Sequence, residues 1–276
     1  MKTSMQLNAL IRNLSAELNV ESEIILRNYM LERLLERVAL SEYSENFILK
    51  GGLLIASMVG LGTRSTMDMD ATILGQSLTE SQTKSIFLEI INIEIDDNVT
   101  FVFRKIEEIR EGTEYPGYRI SFDARLDQTR QVLKIDITTG DVITPREIDY
   151  QYKLMFEDRT IRVLAFNLET VLSEKLEGIL VRGITNTRMR DFYDLYILTA
   201  VKGDSIDRNV LAKALKNTAD KRGSSFVLEN INEIVETIEV NTAMSKLWGQ
   251  YQKNYNYAKD ITWELAVGAL KDLVTI

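Results

Sequence analysis

The stretch RSTMDMDATI, from Arg64 to Ile73, separates into two kinds of side chain when every second residue is read. A β-strand points successive side chains to opposite faces, so one face carries Asp68 and Asp70 and the other is apolar. Residues two apart on one face lie about 6.5–7 Å apart. The two carboxylates could therefore converge on one divalent cation, or on two cations about 3.5–4 Å apart. The simpler alternative is an exposed strand edge that only carries charge.

Composition and length are typical of a soluble globular protein with a substantial core. The 276 residues are 45% hydrophobic and 27% charged. No apolar run approaches the roughly 20 residues that span a bilayer. The first 20 residues lack the continuous apolar segment of a secretion signal. We therefore expect a cytoplasmic protein that does not contact membranes.

The chain contains neither cysteine nor histidine. This excludes a disulfide framework, a thiolate nucleophile and a Ser-His-Asp triad. Any catalysis must rely on carboxylates, lysine, hydroxyls or backbone groups. Any metal would be a hard cation on oxygen ligands, with Mg²⁺ or Mn²⁺ as the best candidates.

The periodicity of apolar residues changes along the chain and predicts an α+β fold. Helical spacing covers residues 5–18 and 22–40, and period-two alternation from Val99 predicts three strands followed by a short one at TIRVLAF. After Asn167 the pattern is helical. We predict a mixed sheet with flanking helices and three segments, namely an N-terminal helical segment 1–46, a core 47–166 and a helical C-terminal domain 167–276.

Lys50-Gly51-Gly52 occupies the junction between a short predicted strand, FILK, and a helix. Glycines at such a junction let backbone N–H groups approach a phosphate at the helix N-terminus. A tight turn with no ligand would also explain the pair.

A third aspartate follows in the strand VLKIDIT, where Asp136 shares the polar face with Lys134 and Thr138. It could complete a carboxylate set with the first two aspartates. Four other aspartates compete for this place, but their settings indicate turns or exposed faces: Asp96, Asp97, Asp123 and Asp141.

Lys175 interrupts the apolar stripe of LETVLSEKLEGIL. It could extend its amine to the solvent at the edge of the stripe, or face a polar cleft and meet triphosphate oxygens. In the latter case Lys175→Met should weaken triphosphate binding at normal thermal stability. Asp191 and Asp194 follow on one helical face. They could favour a helix N-terminus or, with Arg188, Arg190 and Lys175, form the wall of that cleft.

Four segments in this order resemble the nucleotidyltransferase superfamily with a polymerase-β-like core: FILKGGLLI, TRSTMDMDATI, LKIDIT and LSEKLEGILVRGITNTRMRDFYDLYIL. The closer resemblance, over about residues 20–200, is to the AbiEii/AbiGii toxin family of type IV toxin–antitoxin and phage-defence systems. This implies a Mg²⁺- or Mn²⁺-dependent transferase whose metal ligands are Asp68, Asp70 and Asp136. It also implies catalytic roles for Lys175, Asp191 and Asp194, and binding of the nucleoside triphosphate by Lys50, Gly51, Gly52, Arg64, Thr66 and Lys175.

The resemblance also indicates partners. A cognate antitoxin is expected, and the acceptor could be the 3′ end of tRNA. The segment from Lys175 to Arg222 has ten Lys and Arg against six Asp and Glu, which suits a nucleic-acid face or a solvated helical surface. Gly52 stands where the superfamily often has serine, so only backbone contacts are available there.

Two alternatives remain open. The same fold could be a noncatalytic module that binds a nucleotide or the antitoxin, although the retained Asp68, Asp70, Asp136 and Lys175 disfavour it. Thr66 could be a regulatory phosphosite at the mouth of the site, or only a threonine at a strand entry. Alternation would place Ser65 on the other face and make it the control.

Overall fold

The computed structural model describes residues 3–75, 78–109 and 117–275. The helices within these ranges are α1 (Ser4–Leu18), α2 (Ser22–Leu40), α3 (Gly51–Val59), α4 (Glu80–Ile91), α5 (Leu168–Arg182), α6 (Met189–Lys202), α7 (Arg208–Arg222), α8 (Ile231–Glu239), α9 (Thr242–Asn254) and α10 (Trp263–Val274). The strands are β1 (Phe47–Lys50), β2 (Met69–Ile73), β3 (Thr100–Ile109), β4 (Gly117–Leu126), β5 (Thr129–Thr139), β6 (Ile148–Lys153) and β7 (Thr160–Ala165).

The described strands form one mixed sheet in the order β3-β4-β5-β2-β1-β7-β6. Strand β2 is antiparallel to β1 and parallel to β5, while β3, β4 and β5 form an antiparallel meander. The parallel pairing matters for function because it places β2 beside a strand that comes much later in the chain. The predicted α+β class with a mixed sheet and a helical C-terminal region is confirmed.

The chain forms two compact units. The first contains residues 1–141 and 148–165, and the second contains residues 142–147 and 166–276. Helices α1 and α2 therefore belong with the sheet, whereas the sequence pattern set residues 1–46 apart. The reason is that α2 packs against strands of the sheet, which buries its apolar stripe.

Helix α2 also buries several of its charged residues. Arg33 is 1% exposed and forms ion pairs with Glu32 at 2.7 Å and Glu36 at 2.9 Å. Glu32 also accepts a hydrogen bond from the backbone N–H of Met155, in the connection between β6 and β7. The connection between β6 and β7 therefore packs over helix α2. Burial raises the pKa of Glu32 to about 7, although the charge of Arg33 opposes this shift.

Most predicted elements occur with small changes in their ends. The capping box of α4 is present, because Thr79 accepts from the backbone N–H of Gln82 and the side chain of Gln82 accepts from that of Thr79. Strand β6 and helix α9 were not predicted. Among the residues with described structure, none of the helices has the length and apolarity required to cross a membrane.

Candidate functional site

A row of charged side chains crosses five neighbouring strands of the sheet. Lys50 on β1 is the register partner of Asp70 on β2, which is the partner of Asp136 on β5. Asp136 in turn pairs with Arg119 on β4, and Arg119 with Glu107 on β3. Register partners point to the same face, so these five side chains lie on one face of the sheet. The register thus brings together Asp70 and Asp136, as predicted.

The N-terminus of α3 meets this row at Gly51. Gly51 has a φ of +65°, which side chains with a Cβ rarely adopt. A Cβ at this position would collide with Oδ2 of Asp70. The backbone N–H of Gly52 donates to the same oxygen over 3.3 Å. Gly51 is therefore needed for the carboxylate of Asp70 to approach the amide groups of the helix start, where negative charge is favoured.

Asp68 and Thr66 lie in the segment before β2, because the strand begins only at Met69. The prediction that strand alternation places Asp68 on the same face as Asp70 therefore does not apply at Asp68, and side-chain facing cannot be inferred before Met69. Thr66 is 4% exposed, and its hydroxyl donates to the backbone carbonyl of Asp68. Ser65 is also buried. It therefore does not differ from Thr66 in exposure and is a poor control for substitutions of Thr66.

Thr66 and Arg64 lie beside the start of α3. A Cβ on Gly52 would be 2.5 Å from Oγ1 of Thr66 and 3.4 Å from a guanidinium nitrogen of Arg64. Asn28 of α2 fixes this segment by donating to the backbone carbonyl of Thr66 over 2.9 Å. A hydroxyl, a guanidinium and a helix N-terminus therefore meet at one place, and all three are groups that bind phosphate oxygens.

Arg119 holds the third aspartate of the set. Its Nε and Nη2 atoms donate to the two carboxylate oxygens of Asp136, each over 2.7 Å. The hydrogen bond to Asp136 raises the pKa of the Arg119 guanidinium, with further contributions from the negative charges of Asp68 and Asp70. Arg119 therefore lies in the field of all three predicted aspartates.

Lys50, at the β1 end of the row, is paired with an aspartate that lies outside the row. It is 5% exposed, and its Nζ atom forms a 2.5 Å ion pair with Asp141. The hydroxyl of Thr138 donates to the same carboxylate. Asp141 was expected in a turn or on an exposed face, but it serves as the buried counter-charge of Lys50.

The acidic residues have the right chemistry for a hard cation, since they offer only carboxylate oxygens. In the part of the chain that the structure describes, no group of three or more acidic side chains is arranged so that it could hold a metal. One cause is visible, because Arg119 occupies both oxygens of Asp136. Asp68 and Asp70 offer carboxylate oxygens of the type that suits such an ion, and Asp136 does so once Arg119 releases at least one oxygen.

The second unit has a charged cluster of its own between α5 and α6. Nζ of Lys175 lies 2.7 Å from Oδ1 of Asp191 and 2.8 Å from Oδ2 of Asp194. Both aspartate side chains are at most 5% exposed, and Arg188 adds a 3.1 Å contact to Asp191. The amine of Lys175 is thus held between two buried carboxylates, not extended along the apolar stripe to the solvent. The predicted proximity of Lys175, Asp191 and Asp194 is observed.

This cluster corrects one expectation. Removing the amine of Lys175 would leave two buried carboxylates without their shared counter-charge, which is strongly destabilising. Normal thermal stability of Lys175→Met is therefore no longer expected.

Arg119 was missed in the sequence, although a signal for it was present. The loop Asp127-Gln128 joins β4 to β5 with only two residues, and Leu126 pairs with Thr129. Counting outward from this hairpin places Arg119 opposite Asp136. Asp141 had no comparable signal, because it lies after the end of β5 and meets Lys50 only through the fold.

Comparisons with known proteins identify a family and proteins of similar fold. The sequence model of a family described as "Nucleotidyl transferase AbiEii toxin, Type IV TA system" matches residues 33–268. The fold is similar to that of JHP933 from Helicobacter pylori, with 16% identity, 92% of each chain covered and a TM-score of 0.50. A candidate nucleotidyltransferase from H. pylori is similar with 16% identity, 92% of this chain and 96% of the other covered, and a TM-score of 0.49. The chain has no match among curated proteins.

Proposed function

We propose that this chain, which belongs to the AbiEii nucleotidyl transferase toxin family of type IV toxin–antitoxin systems, transfers a nucleotide from a nucleoside triphosphate to an acceptor hydroxyl. The observation that carries the proposal is the register pairing of Asp70 with Asp136 beside the N-terminus of α3. It combines a carboxylate pair on two adjacent strands with a helix start that can take a phosphate.

Phosphate binding is assigned to the start of α3. The backbone N–H of Gly52, the hydroxyl of Thr66 and the guanidinium of Arg64 lie together there. The guanidinium of Arg64 would donate to a phosphate oxygen, and the other two donors would do so after the Gly52 N–H leaves Asp70 and the Thr66 hydroxyl leaves the carbonyl of Asp68. The helix dipole adds positive potential. Gly51 leaves room for the carboxylate of Asp70 beside this helix start, because any side chain would collide with it. Lys50 adds a buried positive charge one residue earlier.

The carboxylates have separate tasks in this proposal. Asp68, Asp70 and Asp136 would hold Mg²⁺ or Mn²⁺, which would stabilise the charge that develops during phosphoryl transfer. Asp136 would also take the proton of the attacking hydroxyl, as a carboxylate within hydrogen-bond reach can do. Arg119 positions Asp136 through two hydrogen bonds. The assignment of Lys175, Asp191 and Asp194 to catalysis stays a prediction, since their contacts also explain them as a buried ion-pair cluster.

The biological partners in this proposal follow from the family. A cognate antitoxin would control the toxin, and the 3′ end of tRNA is one candidate acceptor. The role of Thr66 as a regulatory phosphosite also stays a prediction. Its low exposure means that a kinase could reach the hydroxyl only after the segment before β2 opens.

The deciding experiment is incubation with each of four labelled nucleoside triphosphates, Mg²⁺ and total cellular RNA, followed by separation of labelled products and assay of pyrophosphate. Asp70→Asn is the test variant, because it removes charge and keeps the shape. Asp149→Asn, an exposed residue on β6, is the matched control. We expect labelled product with the native chain and the control but not with Asp70→Asn. Binding of triphosphate without any labelled product or pyrophosphate would instead favour a noncatalytic nucleotide-binding module.

A further inference from the structure

Among the described strands, only β3, β4 and β5 continue past the carboxylates. Strand β2 begins opposite Ile135 of β5, so residues 129–134 of β5 extend beyond it with β4 and β3. On the face that carries Asp136, this extension bears five positive side chains, here called the basic strip: Arg104, Lys105, Arg125, Arg130 and Lys134.

The basic strip is exposed to solvent. The side chains of Arg104, Lys105, Arg125 and Arg130 are 44 to 58% exposed, and Lys134 is also exposed. The other face of these strands is the one that packs against α4, for example through the rings of Phe87 and Phe122 at 5.9 Å. The sheet therefore has one apolar, covered face and one charged, open face here.

A single buried carboxylate organises the arginines of the basic strip. Asp123 is 5% exposed and lies 2.8 Å from Arg130, 3.5 Å from Arg104 and 3.6 Å from Arg125. Burial by itself would raise the pKa of Asp123, but the hydrogen bond from Arg130 and the nearby arginine charges lower it below its ordinary value. One negative charge thus keeps three guanidinium groups together on the open face.

The charge of this face is opposite to that of the whole chain. Glu107, paired with Lys105 at 2.7 Å, is the second carboxylate beside the basic strip. Five cations against two carboxylates leave a local charge of +3, in a chain whose net charge is −8. A concentrated positive patch on an acidic protein fits an anionic polymer, because it both attracts the polymer and fixes where it binds.

We propose that the basic strip binds the phosphodiester backbone of single-stranded RNA and leads the end of the strand to Asp136. Lys134 is two residues from Asp136 on the same strand face, and Arg130 is six residues away, so the basic strip covers about 13 Å and ends about 20 Å from Asp136 at its far side. Its cations suit phosphates more than bases, since stacking platforms need exposed aromatic rings. The exposed apolar residue at the centre of the face is Val102, not an aromatic residue.

Only the statement that the bound end is the acceptor rests on the proposed function. Binding itself can be measured without triphosphate or divalent cation, so a failed transfer assay and a failed binding assay are distinguishable. RNA binding through the basic strip without transfer would leave this inference standing and remove the proposed function.

The test measures binding of a 5′-fluorescein-labelled single-stranded RNA by fluorescence anisotropy at several salt concentrations. The strip variant is Lys105→Gln/Arg125→Gln/Lys134→Gln, which keeps Arg130 and Arg104 as partners of buried Asp123. The matched control is Arg12→Gln/Lys153→Gln/Arg162→Gln, which removes three exposed cations elsewhere in the same unit.

Three phosphate contacts would give a slope of about −2 for log affinity against log salt. We expect the strip variant to lose most of this slope and to bind about tenfold more weakly at 0.1 M salt, while the control stays within about twofold. Equal weakening in both variants would overturn the proposal. So would displacement of the RNA by poly-L-glutamate at equal charge, which would indicate an acidic protein partner, or tighter binding of the duplex than of the single strand.

Discussion

Arg119 and Asp136 form a two-point contact across adjacent strands, with both carboxylate oxygens of the aspartate accepting hydrogen bonds over 2.7 Å. The same oxygens are the ones that a divalent cation would need. A guanidinium and a metal ion are thus competing partners of one carboxylate. This competition makes Arg119 a positioning residue whose effect on metal binding can be measured separately from catalysis.

Replacing Arg119 by glutamine should strengthen metal binding and weaken transfer. The two oxygens of Asp136 become available to the ion, while the orientation of the carboxylate is lost. We expect severalfold tighter binding of Mn²⁺, measured from the electron paramagnetic resonance signal of the free ion. Arg119→Lys should bind Mn²⁺ with an affinity between those of the native chain and Arg119→Gln, because an ammonium group competes with the ion for Asp136 only as a point charge. Weaker Mn²⁺ binding by Arg119→Gln would contradict the competition.

Gly51→Ala should abolish transfer by displacing Asp70. The alanine adds strain of about 1–2 kcal/mol at a φ of +65°, and its Cβ overlaps the Asp70 carboxylate. Gly223→Ala is the control for strain, since Gly223 has a φ of +67° and a Cβ there would meet no atom within 4 Å. Gly51→Ala should lose more stability in urea than Gly223→Ala, because the clash with Asp70 adds to the backbone strain. Full activity of Gly51→Ala would remove this glycine from the site.

Lys175→Met should destabilise the second unit by about 3–5 kcal/mol, because Asp191 and Asp194 lose their shared cation. Unfolding in urea measures the loss. Adding Asp194→Asn to Lys175→Met should restore part of the stability, since one buried charge is removed. Lys213→Met on the exposed side of α7 should change stability by less than about 0.5 kcal/mol. Unaltered stability of Lys175→Met would show that water or another cation compensates the aspartates.

Stability should fall as the pH rises from about 5 to 8, in part because of Glu32. Its pKa is about 7 in the folded chain, above its ordinary value of 4.5. The folded state therefore binds more protons than the unfolded state between these values, and protonation favours folding. The contribution is fully present below pH 4.5 and is lost as the pH passes 7. Glu32→Gln should reduce the change in melting temperature between pH 5.5 and pH 8, and an unchanged difference would exclude Glu32 as the source.

The sequence predicted elements well where one face of a helix or strand is buried. Helix α2 was predicted with the bounds that the structure shows, because its apolar residues recur at helical spacing. Strand β6 was missed because it lies at the edge of the sheet and only Tyr152 is buried, so no alternation marks it. Helix α9 was missed although Met244, Trp248 and Tyr251 recur at helical spacing.

Some residues of the candidate site could be predicted from a short stretch of sequence, whereas others depend on contacts between segments that are far apart in the chain. Asp68, Asp70, Gly51 and Gly52 were identifiable from a short stretch and its resemblance to a family. The neighbour of Lys50 was not identifiable from local spacing, because Asp141 approaches it only through the fold. For Lys175, the sequence offered the proximity to Asp191 and Asp194 as one alternative, but it did not indicate that both carboxylates are buried. Residue patterns specify which face a side chain occupies, but not which partner the fold brings to it.

The parallel pairing of β2 with β5 also determines when Asp70 and Asp136 can meet during synthesis of the chain. Asp70 and Asp136 are 66 residues apart in sequence, the same separation as the neighbouring pair Thr72 and Thr138, and parallel strands cannot be joined by a simple turn. Closing so long a loop is slow compared with local folding. A growing polypeptide that has not yet released β5 from the ribosome has only half of the carboxylate pair. The carboxylate pair is therefore incomplete until most of the first unit has been made.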